Sequence, residues 1–74
     1  MNKTFIKAHA ALAAIGAPVT YKPEWFVMSA EDNAERLWAN VDADYIDPQV
    51  EAILKAHGLD YCWNDAGTVY FHNA

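Results

Sequence analysis

Between Leu59 and His72 two short alternating stretches flank a turn signal, and few patterns restrict a chain's folding more. Leu59, Tyr61 and Trp63 alternate with Asp60 and Cys62; Val69 and Phe71 alternate with Thr68, Tyr70 and His72; Asn64-Asp65-Ala66-Gly67 lies between them. A period of two sends successive side chains to opposite faces, so the stretch predicts a β-hairpin with one buried face. On this reading Cys62 points away from Tyr61 and Trp63, or serves as a small hydrophobe.

The rest of the chain adds helices and short strands. From Asn2 or Thr4 to Ile15 the alanine-rich composition favours helix, with Met1, Phe5, Ala8, Leu12 and Ile15 on one stripe, and Gly16 and Pro18 stop it. Val19 to Lys22 precedes Pro23 and reads as at most a short edge segment; Trp25 to Met28 reads as a brief strand. Ser29, with Asp32 three residues on, suits the start of a second helix that would bury Ala30, Ala34, Leu37, Trp38 and Val41. Asp47 followed by Pro48 predicts an N-cap and first helical position, opening a third helix over Pro48 to His57 with Val50, Ile53, Leu54 and His57 buried and Gly58 as its stop. The expected fold is therefore α+β: three helices and an antiparallel sheet of two or three strands, in the order α-β-α-α-β-β, within a single domain of 74 residues.

That order resembles the winged-helix family, in which the closing hairpin is the wing. The resemblance would imply a recognition helix at residues 48–57, but that segment offers only Lys55 and His57 beside Glu51. It lacks an arginine to bridge guanine and a cluster of bases for phosphate. The turn before it is also longer than a tight helix-turn-helix connection.

Charge is unevenly spread along the chain. Residues 1–22 carry Lys3, Lys7 and Lys22 and no acid, whereas residues 24–51 carry Glu24, Glu31, Asp32, Glu35, Asp42, Asp44, Asp47 and Glu51 against Arg36 alone. The net charge is −5. Such a stretch repels phosphates, disfavouring direct nucleic-acid binding, and attracts basic protein surfaces. Three Trp, four Tyr and three Phe exceed what a core of this size hides, which points to a partner surface or a homodimer.

Other classes find little footing. Cys62 is the only cysteine, so neither an intramolecular disulfide nor a CxxC pair can form, and a reducing cytoplasm fits best. Lys3 and Lys7 followed by Ala8 to Ala17 superficially resemble a signal peptide, but His9 interrupts the apolar run. No stretch approaches the ~18 apolar residues of a membrane span. Read as an EF-hand from Asp42, the acidic loop puts Asp47 where glycine is required and Ile53 where the bidentate Glu belongs. His57, Cys62 and His72 could gather but lack an evident fourth zinc ligand, and Ser29, the only serine, reads as a cap. No catalytic residue, metal or cofactor is expected.

The sequence thus suggests a non-enzymatic binding protein. Its acidic face, formed by Glu31, Asp32, Glu35, Asp42, Asp44 and Asp47 with Tyr45 among them, would dock on a basic surface of another protein, helped by Trp25, Tyr61, Trp63 and Tyr70. In size, charge and lack of catalytic motifs the chain resembles small phage-encoded inhibitors such as anti-CRISPR proteins, which implies a nucleic-acid-handling partner. The alternative is a winged-helix-like regulatory or adaptor domain that uses the hairpin or the third helix for protein contacts, with a dimer as one form it could take.

Overall fold

The computed structural model describes residues 3–22, 25–30 and 37–74. Along the chain run α1 (Lys3–Ala14), β1 (Val19–Lys22), β2 (Trp25–Ser29), β3 (Ala39–Asn40), β4 (Tyr45–Ile46), α2 (Pro48–Ala56), β5 (Leu59–Asp65) and β6 (Thr68–Asn73). Four strands form one antiparallel sheet in the order β1-β2-β6-β5, and β3 and β4 form a separate two-stranded ladder. No helix among the described residues is long and apolar enough to cross a membrane.

Each helix ends as its sequence dictates. Gly16 adopts φ +86, which costs glycine little; Ala17 N–H donates to Leu12 O at 3.1 Å and Gly16 N–H to Ala13 O at 3.0 Å. These paired bonds satisfy carbonyls that the last turn would otherwise leave unpaired. At the other helix, the Asp47 side chain accepts from Gln49 N–H and Val50 N–H, and Pro48 occupies the first turn, where its missing N–H costs nothing.

The core lies between one sheet face and the helices. Ala8 and Leu12 from α1, Val50 and Leu54 from α2, Phe26 and Met28 from β2, and Val69 and Phe71 from β6 are buried in one cluster, joined by Trp38, Ala39, Ile46 and Leu59. Tyr61 and Trp63 pack partly against it, whereas Cys62 is exposed, so the hairpin alternates as its sequence predicts. Trp25 to Ser29 joins that hairpin: β2 pairs with β6 on one side and β1 on the other.

The three-helix, winged-helix-like expectation does not hold, because the described residues form two helices and two antiparallel sheets. Ser29 ends β2, and its N–H donates to Pro18 O at 3.0 Å. Of the supposed second helix, residues 31–36 lie outside the described residues, but Ala39 and Asn40 are a strand and Val41 begins a turn. A helical stripe would bury Leu37, Trp38 and Val41 together. Instead Trp38 and Ala39, adjacent in sequence, are buried while Leu37 and Val41 are 46% and 38% exposed. Two local devices outcompete the helix. Asn40 Oδ1 accepts from Asp42 N–H at 2.9 Å and Ala43 N–H at 3.4 Å, closing a turn with its own side chain. Trp38 O accepts from Asp47 N–H at 2.8 Å, tying the start of β3 to the end of β4.

Candidate protein-docking surface

The β3–β4 turn presents two of the described acids of the expected face. Asp42 and Asp44 are exposed on it, and Asp44 N–H closes the turn onto Val41 O at 3.1 Å. Asp44 takes φ +47, a left-handed conformation that Asp tolerates better than most residues. Beside the turn, Leu37, Ala39, Val41, Asp42 and Ala66 line an open hollow of about 330 Å³.

Tertiary structure adds acids that sequence proximity does not suggest. Trp63 Nε1 donates to Asp44 Oδ1 at 3.5 Å, linking the turn to β5. The Tyr61 hydroxyl lies within electrostatic reach of Asp44 from the turn, Glu51 from α2 and Asp60 from β5. Burial, and then these three carboxylates in that order, push its pKa above the ordinary 10.0, because each disfavours the phenolate. Stability from keeping this phenol neutral is therefore fully present below about pH 10 and is lost as pH rises through the raised value. An alkaline absorbance titration should contain a tyrosine step above 10.0 that Tyr61→Phe removes; an unchanged profile would mean another group carries it.

The other residues of the expected face fall differently. Asp47 is only 4% exposed, with its carboxylate turned to the α2 N-terminus. Tyr45 is half-buried in β4. Glu31, Asp32 and Glu35 lie outside the described residues. The aromatic set divides in two. Tyr61 and Trp63 stand on the core side of β5 beside the acids, whereas the rings of Trp25 and Tyr70 meet on the opposite sheet face at 5.8 Å.

The sheet order turns the charge asymmetry of the sequence into a spatial one. β1, with Lys22, forms one edge and α1, with Lys3 and Lys7, packs over it; β5, with Asp60 and Asp65, forms the other edge, against α2. Among the described residues the one ion pair is Lys55 Nζ to Glu51 Oε1 at 3.4 Å, so Lys3 and Lys7 pair with none of the described acids. Glu51 and Asp60 are the members sequence reading leaves out, since only the packing of α2 on β5 brings them, with Asp44, into electrostatic reach of Tyr61. No group of three or more His, Cys, Asp or Glu among the described residues is arranged to hold a metal ion. The chain matches no protein-family model, no curated protein and no solved structure.

Proposed function

We propose that this chain is a small acidic binding protein, without a catalytic role, that docks on a basic surface of a nucleic-acid-handling protein and modulates or inhibits it, as small phage-encoded inhibitors do. The observation that supports this reading is the gathering of Asp44, Glu51 and Asp60 around Tyr61, with Asp42 exposed on the same turn as Asp44 and Lys55 paired to Glu51. Exposed carboxylates on a short, internally bonded turn lose little conformational freedom on binding and draw a basic partner from a distance. The exposed Leu37 and Val41 beside Asp42 supply apolar contact area. Attraction then speeds the encounter and apolar contact holds the complex.

The test removes charge without changing shape. In affinity capture from a bacterial lysate followed by mass spectrometry, the wild-type chain should retain a protein with a basic surface, released as ionic strength rises. Asp42→Asn with Asp44→Asn should lose most of that retention. Retention insensitive to both salt and the double substitution would overturn the reading.

A further inference from the structure

The sheet face opposite the helices carries an ordered pattern that meets the acidic end only at Asp60. Register places Thr20, Val27, Tyr70 and Cys62 in one row across all four strands. Two residues along, on the same side of that row, Lys22 pairs with Trp25 at the β1 edge and His72 with Asp60 at the β5 edge. The centre of the face is apolar and aromatic: Trp25, 40% exposed, lies against Tyr70, and Tyr70 stacks on His72 at 6.4 Å. Val27 is buried, yet it belongs to this face and not to the helix-side core. Its rim is polar, with a cation at one edge and an anion at the other.

We propose that this face binds a second copy of the chain, giving a two-fold dimer whose axis runs parallel to the strands. A half-turn about that axis lays β1 over the partner's β5 and keeps each row over itself. Lys22 then faces the partner's Asp60, and the same pair forms again by symmetry, as a self-complementary interface requires. The other two-fold axis in the sheet plane, across the strands, lays β1 over β1 and leaves both charges unmatched. Sheets packed face to face keep their strands nearly aligned and sit about 10 Å apart, a gap that a lysine and an aspartate can bridge. An aromatic centre inside a polar rim is the usual anatomy of a protein interface.

Its size sets the strength. Four strands about 4.8 Å apart, over five residues of about 3.4 Å each, give a footprint of roughly 330 Å² before side-chain relief. That is below the ~800 Å² per partner of a standard stable interface, so the dimer forms reversibly with concentration. The face shares Asp60 with the acidic end but not the Asp42–Asp44 turn, so Asp42→Asn with Asp44→Asn should leave association unchanged, and Trp25→Ala should leave retention of the basic partner unchanged.

Sedimentation equilibrium of the full chain tests the geometry. Wild type should pass from monomer to dimer as concentration rises. Lys22→Glu puts two like-charge pairs in the interface and should weaken association about 10-fold; Asp60→Lys alone should do the same. Combining Lys22→Glu with Asp60→Lys rebuilds both pairs in reverse and should recover most of the loss, which general surface-charge effects would not. Trp25→Ala should weaken association by at least about 10-fold, and circular dichroism on each variant checks folding. A wild type that stays monomeric at millimolar concentration overturns the proposal. So does a double exchange that fails to restore association, the result expected if this face takes an unrelated partner.

Discussion

Phe26→Ala should remove about 3–5 kcal/mol of stability and lower the thermal midpoint by more than about 10 °C. Phe26 is 1% exposed, and its ring meets four others: Phe71 at 4.9 Å, Phe5 at 5.4 Å, Tyr21 at 5.7 Å and His9 at 6.2 Å. These partners come from α1, β1 and β6, so the ring joins the helix and strand that precede it to a strand at the other end of the chain. Its loss leaves a cavity that the walls cannot close without moving a helix or a strand. At 74 residues the whole domain has roughly 4–11 kcal/mol to lose, so this one side chain accounts for much of the margin. The measurement is thermal unfolding followed by circular dichroism, in which each kcal/mol shifts the midpoint by about 4–8 °C in a domain of this size. Phe26→Leu keeps most of the volume and should fold with a lowered midpoint. An alanine variant that melts within a few degrees of wild type would mean the ring cluster does not hold the helix to the sheet.

Asp47→Ala should cost about 1–2 kcal/mol, more than any substitution of an exposed acid. Its carboxylate accepts from Gln49 N–H at 2.9 Å and Val50 N–H at 3.3 Å, its carbonyl accepts from Glu51 N–H at 3.0 Å, and its own N–H is bonded to Trp38. Alanine keeps the backbone bonds and abandons both amides at a partly buried helix end, where unmade bonds are expensive. Asp47→Asn keeps an acceptor of the same shape and should recover most of the loss. Urea unfolding separates the two: if asparagine and alanine are equally destabilised, capping is not what Asp47 contributes. Asp42→Asn, on the exposed turn, should change stability by less than about 0.5 kcal/mol.

How far the sequence could be read depends on which signals were local. The hairpin follows from strict alternation, and α2 from Asp47-Pro48 at its start and Gly58 at its end, because each of these features acts within a few residues. The supposed second helix failed where local and tertiary signals diverged. Leu37, Trp38 and Val41 have helical spacing, but Asn40 folds back on its own backbone and Ala39 pairs with Ile46, so the register of β3 on β4 decides which side chains are buried. Asp47 could be read both as a cap and as part of an acidic face, and only its burial decides between the roles. Tyr61 gathers Asp44, Glu51 and Asp60 across three elements, a proximity no spacing in the chain encodes.

β6 is the last strand in chain order yet sits inside the sheet, between β2 and β5. Until residues 68–73 dock, the α1–β1–β2 half and the α2–β5 half share no ladder. During synthesis neither half can complete the sheet, and β2 waits through about forty residues for its neighbour. The ordering entropy of both halves falls due at one late event, which makes assembly slow for so short a chain and concentrates its cooperativity in a single insertion.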